Sequence, residues 1–177
     1  LLKEWMIENQ RVSQMEKVPG KFSVYNSLTA IAICHHFGVS VEEIKKAMLH
    51  VSVKGRIEIV PVTKRYTLMI DYAHNEMSLK NLLEMLRGFK PRRLIVLFGC
   101  GGNRSKLRRS KMGETAGHLA DFTILTSDNP RWEDPETILD DIEDGIRGTG
   151  GQYVRIADRS VVIVADMHQV PRNRCSA

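Results

Sequence analysis

The sequence predicts an α/β fold built on a mostly parallel sheet with helices on both faces. From Tyr66 onward, apolar runs of strand length alternate with amphipathic segments of helix length, and short loops connect them. One of these runs, Leu94 to Phe98, is apolar at every position. Such a run is typical of a strand that is buried on both faces of a parallel sheet. We therefore expect a doubly wound sheet in the second half of the chain.

The first third of the chain is predicted to be helical. Residues 1–15 are amphipathic and indicate the end of a helix or a connector. A helix is predicted over 22–37 with a stop at Gly38, and Ser40 with Glu43 forms a capping box that opens a helix to about residue 49. Because these helices have no strands of their own, we interpret residues 1–53 as the end of one domain and 54–177 as a second domain.

The second domain is predicted to alternate strands and helices in order. Strands are expected at 56–60, 66–71, 94–98, 122–126 and 153–156. Helices are expected at 78–89 and 111–120, and a last helix should begin at the cap Asp134 with Pro135 in its first position. The residues of the last helix that should face inward are Ile138, Leu139, Ile142 and Ile146.

Composition limits the class of protein. The 177 residues are 42% hydrophobic and 27% charged, as in soluble globular proteins, and no apolar run approaches the roughly 20 residues of a membrane span. Three widely spaced cysteines (Cys34, Cys100 and Cys175) show neither metal-ligand spacing nor a disulfide framework. We expect a monomeric protein in the reducing cytoplasm that contacts no membrane.

The net charge of +5 raises the question of a nucleic-acid partner. The basic residues concentrate just after a glycine-rich loop, at Arg104, Lys106, Arg108, Arg109 and Lys111. This cluster contains no aromatic residue and forms no recognisable basic stripe, so we expect no binding to nucleic acid. A solvated helix start is the alternative explanation for its last three members.

Two loops that follow predicted strands carry the candidate site. The first begins Gly99-Cys100-Gly101-Gly102, which predicts backbone N–H groups free to face a ligand. It is an incomplete dinucleotide fingerprint, because Arg104 occupies the last glycine position, and a plain tight turn is the alternative. The carboxyl ends of parallel strands lie at one edge of a sheet, so both loops should form one site for an acidic small molecule.

The second loop is Asp128-Asn129-Pro130-Arg131. Its acceptor, amide and guanidinium could hold an amino acid by its ammonium and carboxylate groups together. An Asx-type turn before the last helix is an equally good explanation. Farther upstream, Asp71 could bind ribose hydroxyls with His74 beside it, or could cap the following helix.

Phosphate-binding and nucleophile motifs are not found in this sequence. There is no G-x-x-x-x-G-K-[ST] loop and no nucleophile elbow. The chain therefore carries no loop that could bind and activate ATP unaided.

Five segments in order resemble the Mur ligases: GKFSVYNSLTAIA, GRIE, DYAH, FGCGGNR and SDNPRWEDP. The resemblance implies a Rossmann-like C-terminal domain preceded by the helical end of a central ATPase domain. It also implies an ATP- and Mg²⁺-dependent ligase of peptidoglycan synthesis that acts through an acyl phosphate. The DNPR segment resembles the form that selects meso-diaminopimelate over lysine, with UDP-MurNAc-L-Ala-D-Glu as the second substrate.

The resemblance also implies roles for individual residues. Diaminopimelate would be held by Arg104, Asp128, Asn129, Pro130 and Arg131. The nucleotide would be held by Asn26 near adenine, Arg56 near the phosphates, Asp71 on the ribose and His74 beside it. No catalytic residue and no metal ligand is assigned within this chain.

The sequence departs from the family pattern at Ser23, Ser105 and Ser110. The resemblance implies that the phosphate loop, the metal ligands and a carbamylated lysine lie upstream of Leu1, and that a closing strand should follow Val164. On this basis we expect a fragment without ATPase or ligase activity of its own. A binding module for an acidic amino acid or nucleotide, or a Mur-type ligase with another substrate, are the alternatives.

Overall fold

The computed structural model describes residues 21–51, 53–62 and 66–160. The expectations for residues 1–15, for Cys175 and for the segment after Val164 lie outside these ranges. The chain divides into two compact units, one ending at Tyr72 and the other beginning at Ala73. The predicted domain boundary between residues 53 and 54 stays a prediction.

The first unit begins with two helices, α1 (Lys21–His36) and α2 (Val41–Met48). Gly38 follows α1 with a left-handed φ of 83°, which suits a helix stop. Ser40 caps α2, since its side chain accepts the Glu43 N–H while the Glu43 carboxylate accepts the Ser40 N–H. Both helices and the capping box are confirmed.

The same unit ends in an antiparallel pair of short strands, β1 (Glu58–Val60) and β2 (Leu68–Ile70). The sequence had placed residues 66–71 as the first strand of the parallel sheet, and this was wrong for the described residues. A connection of seven residues is too short for the crossover that a parallel pair requires, so β2 folds back on β1.

The second unit alternates helices and strands as predicted. Its elements are α3 (Glu76–Gly88), β3 (Ile95–Phe98), α4 (Lys106–Leu119), β4 (Phe122–Leu125), α5 (Pro135–Arg147) and β5 (Tyr153–Arg155). The strands form one parallel sheet in the order β3-β4-β5, with Ile95 opposite Phe122 and Thr123 opposite Tyr153. The parallel α/β architecture is confirmed.

The helices of this unit share one core. Sequential strands joined by right-handed crossovers place α4 and α5 on the same face of the sheet. The main cluster of buried side chains there is Leu79, Leu83, Leu94, Phe98, Cys100, Met112, Ala116, Leu125, Ile138, Leu139, Ile142 and Ile146. Alternation along β4 turns Phe122 and Ile124 to the opposite face. The four inward residues predicted for the last helix are all buried.

Two details of the second unit differ from expectation. Leu97 in β3 is 39% exposed, because β3 is the edge strand of this three-stranded sheet and not its centre. Helix α4 begins at Lys106, five residues before the predicted start. The basic residues there resembled a loop, but Arg109 lies on the same buried face as Met112 and Ala116.

Candidate functional site

The loops after β3 and β4 contact each other at the carboxyl edge of the sheet. We call residues 99–105 the glycine loop and residues 127–133 the DNPR loop. The Gly102 N–H donates to the carbonyl oxygen of Asn129 at 2.8 Å. The two strands are joined up to this point, since the Thr126 N–H donates to the Phe98 carbonyl at 3.1 Å.

Close approach of the backbones explains two glycines of the first loop. A Cβ atom at Gly102 would overlap the Pro130 carbonyl, and one at Gly99 would overlap the Thr126 carbonyl oxygen. The expectation that the N–H groups of this loop are free was wrong for Gly102 and Asn103. Gly102 donates to Asn129, and the Asn103 N–H donates to the Glu133 carboxylate.

The DNPR loop contains the Asx turn that the sequence left as an alternative. Asn129, and not Asp128, makes it: its Oδ1 accepts the Arg131 N–H at 3.3 Å. Arg131 itself has a left-handed φ of 54°, which is uncommon for a residue with a side chain. As predicted, Asp134 caps α5 through the Thr137 N–H at 3.2 Å.

Both loops present an arginine to solvent. The side chains of Arg104 and Arg131 are exposed, and within the described ranges neither guanidinium makes a hydrogen bond or an ion pair. Asp128 faces Arg159, with Arg159 Nη1 at 3.4 Å from Asp128 Oδ1. Trp132, the neighbour of Arg131, is 93% exposed. The loops therefore offer cationic groups, a carboxylate and an amide on one surface.

Arg159 was missed by the sequence analysis. It follows β5, and the Ser127 N–H donates to the Ala157 carbonyl at 3.0 Å, so the end of β5 lies beside the DNPR loop. The rule that the carboxyl ends of parallel strands share an edge could have identified it.

A buried arginine beneath the loops was also missed. The Arg109 side chain is fully buried, which makes the solvated-helix interpretation wrong for this residue. Its two Nη atoms each lie 2.8 Å from an oxygen of Glu133, and Nη1 lies 2.9 Å from Asp141 Oδ2. The hydrogen bonds from Arg109 first, and from the Asn103 N–H second, lower the pKa of Glu133 to about 2. Helical spacing from Met112 was the signal that could have predicted this burial.

The first unit brings two of the predicted nucleotide residues together. The Ile57 N–H donates to Asp71 Oδ2 at 3.0 Å, and the Arg56 guanidinium lies 5.2 Å from the centre of the Tyr72 ring. The alternative that Asp71 caps the next helix was wrong, because Asn75 accepts the Ser78 N–H at 2.9 Å and caps α3. Asn26 is exposed on α1, and His74 is exposed in the second unit.

A cavity of about 430 Å³ opens between the N-terminal ends of α3 and α4. Its lining includes Asn75, Glu76, Ser105, Arg108 and Lys111. It therefore combines two cationic side chains with one carboxylate beside two helix N-termini. It adjoins the glycine loop through Ser105.

Neither a metal cluster nor a membrane span is present among the residues that the structure describes. In these ranges no group of three or more His, Cys, Asp and Glu side chains could hold a metal ion, and no helix is long and apolar enough to cross a membrane. Cys34 is an exposed free thiol and Cys100 a buried one.

Known proteins resemble this chain over most of its length. The family model described as "Mur ligase, glutamate ligase domain" matches residues 55–174. The UDP-N-acetylmuramoyl-L-alanyl-D-glutamate–2,6-diaminopimelate ligase of Caldanaerobacter subterraneus subsp. tengcongensis is 44% identical over 157 residues, which are 89% of this chain and 33% of that protein. The chain thus spans about a third of the length of the curated relatives it matches.

Solved structures agree with the fold. A UDP-N-acetylmuramoyl-L-alanyl-D-glutamate–2,6-diaminopimelate ligase superposes with a TM-score of 0.59 at 31% identity, over 86% of this chain and 32% of the other. The folylpolyglutamate synthase of Mycobacterium tuberculosis, solved with ADP, gives a TM-score of 0.68 at 20% identity, over 85% and 33% of the two chains. The match of the family model across residues 55–174, more than half of the chain, shows that the chain belongs to the Mur ligase family.

Proposed function

We propose that this chain is part of an ATP-dependent ligase that joins meso-diaminopimelate to UDP-MurNAc-L-Ala-D-Glu, and that its glycine and DNPR loops bind the diaminopimelate. One observation carries the second half of the proposal. Two touching loops present the unpaired guanidinium groups of Arg104 and Arg131 beside the carboxylate of Asp128. Relatives that bear the name of this ligase support the first half.

The chemistry of the loops suits an amino acid with an extra carboxylate. Guanidinium groups bind carboxylates through two parallel hydrogen bonds, and Asp128 can accept from an ammonium group. Because the Asn129 Oδ1 already accepts the Arg131 N–H, the amide of Asn129 keeps its two N–H donors for a ligand. Pro130 helps to fix this turn.

Selection of diaminopimelate over lysine follows from the carboxylate that lysine lacks. We assign that carboxylate to Arg131 and the other to Arg104. A hydrogen bond to a charged group contributes about 1.5–3 kcal/mol, which corresponds to roughly 10- to 150-fold in affinity.

ATP would be held by Asn26, Arg56, Asp71 and His74. Asp71 accepts the N–H of Ile57, the neighbour of Arg56, so the two residues lie close together in the first unit. A cation can bind phosphates and a carboxylate can accept from ribose hydroxyls. ATP supplies the phosphoryl group that turns the D-glutamate side-chain carboxylate into an acyl phosphate. The diaminopimelate amine then attacks the acyl carbon, phosphate leaves and the nitrogen loses a proton. Mg²⁺ belongs to this proposal as the partner of ATP, without an assigned ligand in this chain.

The proposal includes a monomer in the cytoplasm with small-molecule partners. The basic cluster after the glycine loop does not form a continuous cationic face. Arg109 is buried between two carboxylates, and Lys111 lies 2.6 Å from Glu114. These pairs support the expectation that nucleic acid is not a partner.

Calorimetric titration of the chain with meso-diaminopimelate, with lysine and ATP alongside, tests the proposal. We expect diaminopimelate to bind at least 10-fold more tightly than lysine, and Arg131→Ala to remove this preference. Arg147→Ala is the matched control, because Arg147 is an exposed arginine at the far end of α5. Equal binding of both amino acids would favour a less selective module, and no binding of diaminopimelate to a cooperatively folded chain would contradict the proposal.

A further inference from the structure

The buried arginine connects three parts of the second unit that are separate in the sequence. Arg109 lies in the first turn of α4 and forms a two-pronged pair with Glu133, the last residue of the DNPR loop. The same guanidinium contacts Asp141 on α5, and its Nη2 lies 3.4 Å from the carbonyl oxygen of Gly101 in the glycine loop. One side chain therefore contacts both loops and the helix that follows them.

Glu133 extends this connection to the backbone of the glycine loop. Its carboxylate accepts the Asn103 N–H in addition to the two Arg109 groups. Asn103 directly precedes Arg104, and Arg131 lies two residues before Glu133. Arg104 is thus one residue from a backbone N–H that this network binds, and Arg131 is two residues from the carboxylate that binds it.

Stability alone does not explain why an arginine occupies this position. Replacing a buried ion pair with packed apolar side chains is often neutral or stabilising, whereas a planar guanidinium fixes the geometry of the carboxylates around it. A lysine would keep the charge but could not make the two-pronged contact.

We infer that Arg109 is a positioning residue for the amino-acid site: through Glu133 and Asp141 it fixes the two loops so that Arg104 and Arg131 stand at the separation required by the two carboxylates of the ligand. This inference rests on the proposed function. Its role in holding the loops can, however, be measured without any ligand.

The test compares Arg109→Lys with Arg87→Lys in the whole 177-residue chain. Arg87 makes the same kind of two-pronged pair, with its Nη atoms 2.8 and 3.0 Å from the oxygens of Asp121. Asp121 precedes β4 and contacts Leu94 before β3, so this pair lies at the opposite edge of the sheet from the loops. Arg87→Lys therefore controls for the loss of a two-pronged arginine–carboxylate pair at a place away from the loops.

Amide hydrogen exchange measured by NMR gives the readout without ligand. We expect exchange at Gly102 and Asn103 to accelerate roughly 10-fold or more in Arg109→Lys, since each 10-fold corresponds to only about 1.4 kcal/mol of local opening. The same two amides should be unchanged in Arg87→Lys. Unchanged exchange in Arg109→Lys would overturn the positioning role.

Calorimetry with meso-diaminopimelate and lysine gives the second readout. Weakening one charge-assisted contact costs about 1.5–3 kcal/mol, so we expect diaminopimelate affinity to fall roughly 10- to 100-fold in Arg109→Lys while lysine affinity changes less. A purely structural role would lower both affinities equally, or would have the same effect in Arg87→Lys, and either result would overturn the inference.

Glu133→Gln provides the same test if Arg109→Lys does not fold. Glu133 is 29% exposed, so this change leaves no buried cavity, yet the amide nitrogen that replaces one carboxylate oxygen cannot accept a hydrogen bond from Arg109. We expect the same loss of selectivity and the same faster exchange at Asn103. If the unaltered chain binds no diaminopimelate, the proposed function fails, while the exchange comparison still supports or overturns the role of Arg109 in holding the loops.

Discussion

Arg131 adopts a left-handed backbone conformation that an Asx turn from Asn129 stabilises. Such strained conformations cost on the order of 1–3 kcal/mol and occur most often at functional sites. Its guanidinium is exposed and makes no hydrogen bond or ion pair within the described ranges. Backbone strain at Arg131 together with its unpaired guanidinium suits a residue that binds a ligand.

Arg131→Lys should separate charge from geometry. Lysine keeps the positive charge but makes single contacts with a carboxylate in place of a pair. We expect roughly 10-fold weaker binding of meso-diaminopimelate and little change for lysine, measured by calorimetry. Full retention of diaminopimelate affinity would show that the two-pronged contact does not contribute to selection.

The carboxylate of Glu133 should make stability depend on pH. Its pKa lies at about 2 and not at the ordinary 4.5, because Arg109 and the Asn103 N–H donate to the charged form. A lowered folded-state pKa gives stability that is present above pH 4.5 and is lost as the pH falls toward 2.

Thermal unfolding of the unaltered chain and of Glu133→Gln between pH 7 and pH 2 measures this contribution. We expect the difference in Tm to be largest above pH 4.5 and to shrink toward pH 2. The other acidic groups titrate in both proteins and cancel in the difference. A difference in Tm that stays constant over this range would contradict the role given to the Glu133 carboxylate.

Helices α4 and α5 meet at a contact that only glycine permits. A Cβ atom at Gly145 would overlap the carbonyl oxygen of Ser110, and one at Gly113 would overlap that of Ile142. This close approach places Arg109 of α4 within reach of Asp141 on α5. The packing of two helices thus supports the network beneath the loops.

Gly145→Ala should therefore destabilise the second unit. Overpacking of a close contact costs about 1–3 kcal/mol, and we expect a loss of that size in the free energy of unfolding by urea. Gly148→Ala is the matched control, because a Cβ there meets its nearest atom at an ordinary 3.9 Å and the φ of −71° suits alanine. Equal free energies of unfolding for both variants would contradict this prediction, because the close contact between the two helices would then not contribute to stability.

Several elements could be predicted because their signals are local. The capping box at Ser40 and the cap and proline that open α5 lie within a few residues of the helices they define. The buried face of α5 follows from its spacing alone. The start of α4 was missed although Arg109 stands at helical spacing from Met112, because an arginine looks like a surface residue until Glu133 and Asp141 are placed beside it.

The candidate site was only partly predictable for the same reason. Placing two loops at the carboxyl edge needs only a parallel sheet, which the alternation of strands and helices predicted. The hydrogen bonds of the Gly102 and Asn103 N–H groups could not be predicted, because their acceptors, Asn129 and Glu133, lie 27 and 30 residues farther along the sequence. No local pattern encodes such contacts.

At the scale of the whole molecule, the chain combines the Mur ligase family match with the ion-pair network of Arg109 beneath the two loops. It belongs to the Mur ligases over residues 55–174 and spans about a third of the length of the relatives it matches. Among the described basic residues near the glycine and DNPR loops, Arg109 and Lys111 are paired with carboxylates, whereas Arg104 and Arg131 are exposed. This distribution suits a small acidic ligand.

NMR titration of the ¹⁵N-labelled chain with meso-diaminopimelate tests the central claim most directly, since it reports both binding and its location. We predict shifts concentrated in residues 101–104 and 128–133, with lysine at the same concentration producing much smaller changes. Shifts located elsewhere in the chain, or equal effects from lysine, would contradict the assignment of the glycine and DNPR loops as the diaminopimelate site.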